Sequence, residues 1–299
     1  MRDPSGRPGT ALLGTLARAA RSAGAQAYLV GGAARDLLLK RVPVDVDVAV
    51  EGPANAVGKV VEALCGGAEW TCEARHGWSG TATLRGPAGD RVDLAATREE
   101  TYPYPGALPL VTVGVPVERD LARRDFTVHA MAFPLDDEGV RGEVLDPFGG
   151  RNDLAARILR LLHEASLCDD PTRALRAARY AARLGFGLDA GFGEAMRRAV
   201  EGGAFARISG DRLRRALGEL LSEENRDVAI GILGSLGVPA AVVEGWTVPD
   251  GALGGLGGTT TPGESWRSLL APAPPELRQR IATRLSFSRA LRRAAGCPR

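Results

Sequence analysis

The sequence predicts an α/β domain with a mixed sheet, followed by an all-α domain, and three observations carry that prediction. Short apolar runs alternate with helically spaced segments as far as residue 95. Valine and aspartate alternate strictly in Val44-Asp45-Val46-Asp47-Val48, which is the period of a strand. Beyond residue 150 the chain becomes rich in Ala, Leu and Arg at helical spacing.

In chain order, residues 10–23 put Leu12, Leu13 and Leu16 on one side of a helix and Arg18 and Arg21 towards the other, and Gly24 ends it. Residues 27–30 read as a short apolar strand closed by Gly31-Gly32, with a helix over 33–40. The alternating strand covers 44–50, a helix covers 53–65, and strands follow at about 69–73, 80–85 and 91–95. Residues 101–118 hold four prolines and no clear period, which predicts an extended loop. Helices are expected at 152–160, 170–184, 191–200, 210–222 and 225–236. A Gly/Thr linker at 250–263 leads to one amphipathic basic helix at 276–295. The domains expected are therefore 1–150, 151–240, and a linker with a short basic helix over 241–299.

Composition narrows the function classes. A net charge of +2 over 299 residues excludes a polycation that coats nucleic acid, so any nucleic-acid surface must come from local charge. Of the 38 basic residues only Lys40 and Lys59 are lysines. The four cysteines, Cys65, Cys72, Cys168 and Cys297, form no C-x-x-C pair and fit a reducing compartment. No stretch reaches the roughly 20 apolar residues of a membrane span, so a soluble cytoplasmic protein is expected.

Asp45 and Asp47, two apart on a strand, point to one face while the valines point to the core. Paired carboxylates repel unless a cation joins them, and hard oxygen ligands suit Mg²⁺. Upstream, Gly31 and Gly32 stand at a strand-to-helix junction, where backbone amides approach a phosphate closely, and Arg35 in the next helical turn is placed to fork onto the same anion. A phosphate cradle beside a metal site is the layout of metal-assisted phosphoryl transfer. Asp93, in Arg91-Val-Asp-Leu-Ala95, is a candidate third catalytic carboxylate.

The run Leu29-Val-Gly-Gly-Ala-Ala-Arg-Asp36 followed by Asp45-Val-Asp47 resembles the signature of the class II tRNA nucleotidyltransferase and poly(A) polymerase family. Further segments match in order: His76-Gly-Trp-Ser-Gly-Thr-Ala-Thr83, Ala96-Thr-Arg-Glu-Glu-Thr-Tyr102, Pro105-Gly-Ala-Leu-Pro109, Asp120-Leu-Ala-Arg-Arg-Asp-Phe-Thr127, Asp146-Pro-Phe-Gly-Gly150 and the segment from Asp169 to Arg179. The resemblance spans roughly residues 27–235. It implies a nucleotidyltransferase head followed by a helical neck and body, Mg²⁺ on Asp45 and Asp47, ATP and CTP as substrates, and the 3′ end of an RNA, a tRNA by the family pattern, as acceptor. Three departures stand out: His129 where the family usually has Asn, Asp169 where Glu is common, and a shorter helical body.

Asp170 and Pro171 open the helix at 170–184, as a good N-cap and a favoured first residue. Arg173, Arg176 and Arg179 drift only about 60° per step around its axis and share one broad face, with Leu175 and Ala178 on the packing side. Cytosine and adenine both offer an amino donor beside a ring-nitrogen acceptor, whereas uracil and guanine offer a carbonyl beside an N–H. A carboxylate only accepts and a guanidinium only donates. Asp170 and Arg173 side by side would therefore accept C and A and refuse U and G. The resemblance implies the same role, and adds Arg176, Arg179 and Arg124 to the nucleotide site. Three alternatives remain at this stage: a poly(A) polymerase, an enzyme adding only CC or only A, and a non-catalytic RNA-binding relative.

Overall fold

The computed structural model describes residues 9–43, 45–77, 80–249, 251–253 and 261–297. It separates into two compact units, one formed by 1–101 with 109–156 and the other by 102–108 with 157–299. The first thus runs six residues past the expected boundary at 150, and the segment 102–108 belongs to the second.

In the first unit the order is α1 (Thr10–Ser22), β1 (Gln26–Val30), α2 (Gly31–Leu38), β2 (Val46–Glu51), α3 (Ala56–Cys65), β3 (Thr71–His76), β4 (Thr81–Arg85) and β5 (Arg91–Ala96). Then come β6 (Arg98–Thr101), β7 (Leu110–Val113), α4 (Val117–Ala122), β8 (Ala132–Asp136), β9 (Gly139–Val140) and α5 (Gly150–Ala156). Seven strands form a sheet in the order β3-β4-β5-β2-β1-β8-β9. Only β2 and β5 pair in parallel; the other neighbours are antiparallel, which makes the sheet mixed. Its core lies against α1 and α3, where Leu12, Leu16, Val57 and Val60 meet Leu29, Val46, Val48, Leu84, Val92 and Leu94. The alternation of β2 thus buries its valines on one face and leaves the other for chemistry.

Several expectations need correction. Helix α2 starts at Gly31 instead of residue 33, because Gly31 has φ +64° and turns the chain straight out of β1. Asp45 lies in a bend just before β2, and Val44 is outside the described residues. The proline-rich stretch 101–118 is not all loop: Leu110–Val113, with β-branched Val111, Thr112 and Val113, pairs antiparallel with β6, and Val117 opens α4.

The second unit holds β10 (Ile158–Leu159), α6 (Ser166–Asp169), α7 (Thr172–Leu184), β11 (Gly187–Leu188), α8 (Phe192–Glu201), α9 (Ala204–Arg207), α10 (Gly210–Leu221), α11 (Arg226–Ser235), α12 (Val238–Val242), α13 (Pro262–Leu270), α14 (Pro275–Arg284) and α15 (Arg289–Ala294). The helix expected to reach residue 160 stops at Ala156, where Arg157 takes φ +57° and the next residues pair with β11. The expected basic helix over 276–295 is two helices, broken where Ser286 takes φ +53° and Ser288 caps α15 through the Leu291 amide. Much of the Gly/Thr linker lies outside the described residues; Thr261 and Glu264 form a capping box at the start of α13. No helix among the described residues is long and apolar enough to cross a membrane.

Candidate active site

Register lines up a polar row across the sheet. Asp47 on β2 is the partner of Asp93 on β5, and Asp93 is the partner of Thr83 on β4. Their chain neighbours Val46, Val48, Val92, Leu94, Ala82 and Leu84 are in the core, so the row faces the opposite side. Thr83 Oγ1 donates to Asp93 Oδ1 at 2.6 Å. The Arg91 guanidinium stands 3.4 Å from Asp93 Oδ2 and 3.8 Å from Asp45 Oδ1. The three carboxylates proposed for catalysis therefore gather at one end of two adjacent strands. Burial above all, opposed by Arg124 and Arg35 and reinforced by Asp93 and Asp45, pushes the Asp47 carboxyl up to about 6.

The glycine turn lies against this carboxylate. A Cβ on Gly31 would sit 2.8 Å from Arg124 Nη1 and 3.7 Å from Asp47 Oδ2. One on Gly32 would lie 3.7 Å from Arg35 Nη2 and 3.8 Å from Asp47 Oδ2. Both glycines thus leave room between two arginines and the acid. No side chain caps the N-terminus of α2, and amides at such an end suit an anion.

Both arginines are held from behind. Asp120, only 1% exposed, binds Arg124 Nη2 at 2.9 Å through Oδ2 and Arg123 Nη2 at 2.7 Å through Oδ1. Burial alone would raise Asp120, but the two guanidiniums hold it below the usual carboxylate range. Arg35, 4% exposed, is forked onto Asp36 Oδ1 at 2.7 and 2.8 Å and lies 2.6 Å from His129 Nε2 through Nη1. His129 Nδ1 in turn is 3.0 Å from Asp125 Oδ1. Asp120, Asp125 and His129 were not among the sequence candidates for the site. The i, i+3, i+4 spacing of Asp120, Arg123 and Arg124 was the available signal for the first of them.

The donor set fits Mg²⁺. No three His, Cys, Asp or Glu side chains among the described residues are gathered closely enough to hold a metal. Mg²⁺ does not require such a cage, since it is commonly bound through one or two carboxylates together with substrate phosphates. Asp45 and Asp47 would supply those carboxylates, and the raised Asp47 is a group that a cation would relieve.

In the helical unit the arginine face divides. Asp170 Oδ1 accepts from the Thr172 amide at 3.0 Å, from Thr172 Oγ1 at 2.7 Å and from Arg212 Nη2 at 3.0 Å, which keeps Oδ2 as an acceptor. Arg173, 5% exposed, donates to Ser166 Oγ at 2.6 Å and so is buried against α6, apart from any solvated face. Arg176 and Arg179 lie over the Tyr180 ring, 5.4 and 5.0 Å from its centre. Arg179 also reaches Glu219 at 2.5 Å and Glu223 at 3.8 Å on and just beyond α10. One broad basic face is thus replaced by one buried arginine and two packed around a tyrosine. Leu175 and Ala178 are buried as expected. Of the basic residues near the C-terminus, Arg278, Arg284 and Arg292 donate to backbone carbonyls at Ala273, Phe205 and Phe287 and serve packing.

A family model described as the poly(A) polymerase head domain matches residues 27–160. The chain is 37% identical over 233 residues to the A-adding tRNA nucleotidyltransferase of Geobacter sulfurreducens, covering 78% of this chain and 26% of that protein. It is 44% identical over 156 residues to the CC-adding tRNA nucleotidyltransferase of Deinococcus radiodurans, covering 52% of this chain and 40% of that one. The match therefore spans well under half of either curated relative. A solved CCA-adding enzyme in an apo form superposes with a TM-score of 0.77 and 30% identity over 94% of this chain and 68% of that structure. A mixed sheet and helical body shared with that structure at such identity and coverage lead to one conclusion: the chain belongs to the class II tRNA nucleotidyltransferase and poly(A) polymerase family.

Proposed function

We propose that the chain is a template-independent nucleotidyltransferase that adds C and/or A residues from CTP and ATP to the 3′ end of a tRNA in the cytoplasm. The observation that carries this reading is Asp47, a carboxyl pushed up to about 6 beside a glycine turn, an arginine and two further aspartates. Burial is the largest cause of that rise and the two aspartates add to it, so a cation bound there would relieve the site. The names of the relatives, A-adding, CC-adding and CCA-adding, support the substrate class. Four free cysteines support a reducing compartment.

Asp45 and Asp47 would hold the metal, and Asp93 adds negative charge beside them. When bound, Mg²⁺ would make the attacking hydroxyl more acidic and offset charge on the triphosphate. Gly31 and Gly32 let backbone amides approach the phosphates, and Arg35 and Arg124 balance their charge. The RNA 3′-oxygen forms a bond to the α-phosphorus in line with the departing oxygen. That P–O bond breaks, pyrophosphate leaves with the bond's electron pair, and the hydroxyl proton passes to solvent or to a carboxylate. No covalent intermediate on the protein is needed. Asp170, whose Oδ2 stays an acceptor, would read the base edge with Arg173 if that guanidinium left Ser166, and Arg176 and Arg179 would line the same site.

The test is incorporation of labelled ATP and CTP into tRNAs lacking part or all of the terminal CCA. Mg²⁺-dependent incorporation that a chelator and Asp45→Ala both abolish is expected, and the acceptor that is extended identifies the bases added. Binding of tRNA without incorporation at any stage would instead identify an RNA-binding relative.

A further inference from the structure

His129 stands in the 3₁₀ turn Thr127–His129 and is buried, with its ring edge-on to Phe126 at 5.7 Å between centres. Its two nitrogens face opposite kinds of partner: Nε2 is 2.6 Å from Arg35 Nη1, and Nδ1 is 3.0 Å from Asp125 Oδ1. A guanidinium only donates, so Nε2 must accept; a carboxylate accepts, so Nδ1 must carry the proton. The ring is thereby fixed as the neutral Nδ1–H tautomer. Asp125 is itself anchored, since the same Oδ1 accepts from the Phe126 amide at 2.9 Å. On its other edge the Arg35 guanidinium is forked onto Asp36. Two acceptors at different edges fix the plane of the guanidinium, with Nη2 over the Gly32 turn.

We infer that His129 is a positioning residue: as a hydrogen-bond acceptor in a tautomer set by Asp125, it fixes the Arg35 guanidinium for the nucleotide triphosphate. The inference rests on the nucleotidyltransferase reading for the identity of the ligand, but the tautomer and the Arg35 contact do not depend on it. An orienting partner behind a ligand-binding group acts on that group's affinity more than on bond making. Asn carries one donor and one acceptor and can serve both neighbours, whereas Leu and Met serve neither.

The experiment compares the whole chain with its His129→Asn, His129→Leu and His129→Met variants. It measures equilibrium binding of Mg²⁺-ATP and Mg²⁺-CTP, and KM and kcat on a shortened tRNA. Thermal unfolding confirms that each variant folds, and long-range ¹H–¹⁵N NMR reports the imidazole tautomer in the unaltered chain. Expected are the Nδ1–H tautomer, a rise of about tenfold in triphosphate Kd and KM for the Leu and Met variants with kcat within about threefold, and recovery of most of the affinity by Asn. Unchanged affinity in folded Leu or Met variants overturns the inference, as does an Asn variant no better than Leu. If neither apolar variant folds, the tautomer decides, and an Nε2–H ring overturns it. An unaltered chain that binds no triphosphate fells this inference and the functional reading together. Equal binding by every folded variant fells this inference alone.

Discussion

The acidic face of the sheet and the arginine helix α7 handle charge in opposite ways. On the sheet, Asp45, Asp47 and Asp93 crowd together, and the guanidiniums nearby leave Asp47 still raised to about 6. On α7, Arg179 meets Glu219 and Glu223, Arg183 also pairs with Glu223, and the arginines stack on Tyr180. On the sheet, burial and the neighbouring aspartates keep Asp47 raised despite Arg124 and Arg35, whereas Arg179 and Arg183 are paired with glutamates of their own unit. Under the proposed function the first arrangement would accept a cation, whereas the second also ties α7 to Glu219 and Glu223. The same residue types at helical or strand spacing serve either purpose, so their partners decide between the two.

The largest expected effect tests the unbalanced side. Asp47→Asn lowers Mg²⁺-dependent incorporation by roughly a thousandfold. It does not lower stability at pH 8, because it removes a charge that the folded site opposes. The folded pKa of about 6 lies above the ordinary value of 3.8. The group's contribution to stability is therefore fully present below pH 3.8 and is lost as pH rises to about 6 and beyond. Melting temperature against pH, compared between the unaltered chain and the variant without metal, should show this slope only in the former. Added Mg²⁺ should restore stability above about pH 6. A variant that loses stability at pH 8 would show that the sheet face is structural.

A smaller effect is expected at Asp170, the proposed base reader. Asp170→Asn keeps an oxygen for Thr172 and Arg212, while the amide nitrogen takes the place of Oδ2. An acceptor becomes a donor, so the preference for C and A over U and G should fall about tenfold to a hundredfold. Incorporation of all four nucleoside triphosphates measures it, with melting temperature as the control for folding. Unchanged selectivity would remove Asp170 from the nucleotide site and leave it as a helix cap.

How much of this was legible in the sequence follows from what each feature depends on. The alternation of β2 and the paired glycines are local, and both elements are present with their starts shifted by two residues. That Asp93 stands level with Asp47 depends on the register of two strands more than forty residues apart in the chain, and only the candidate residue could be named, not its place in a row. The bend at Asp45 and the positive-φ breaks at Arg157 and Ser286 are backbone features that no apolar period encodes. His129 shows in the sequence only as a departure from the family's Asn; its meaning comes from Arg35, distant in sequence. Helical spacing put Arg173 with Arg176 and Arg179, but burial against Ser166 was set by α6. Strand β7 was hidden by the prolines flanking Leu110–Val113.

At the glycine turn, Gly31→Ala combines two penalties. A left-handed φ of +64° costs an alanine about 1 kcal/mol, and its Cβ would meet Arg124 Nη1 at 2.8 Å. The arginine tip can move, so the chain should fold with a melting temperature a few degrees lower. Moving it away from Asp47 should reduce incorporation about tenfold, chiefly through triphosphate KM. Full activity would mean that Arg124 plays no part at the phosphates.

The smallest expected effect lies on the balanced side. Glu219→Gln removes one exposed carboxylate from Arg179, whose guanidinium keeps Glu223, the Tyr180 ring and the Tyr180 hydroxyl at 3.3 Å. An exposed ion pair of this kind contributes under about 1 kcal/mol. Melting temperature should therefore fall by no more than a few degrees, and KM for ATP and CTP should stay within about twofold. The remaining dependence of melting temperature on salt should weaken as well, since the lost pair is screened by ions. A much larger change in KM, with stability intact, would mean that Glu219 holds Arg179 in register for the nucleotide. The division between charge kept for a ligand and charge cancelled for packing would then fail on α7 itself.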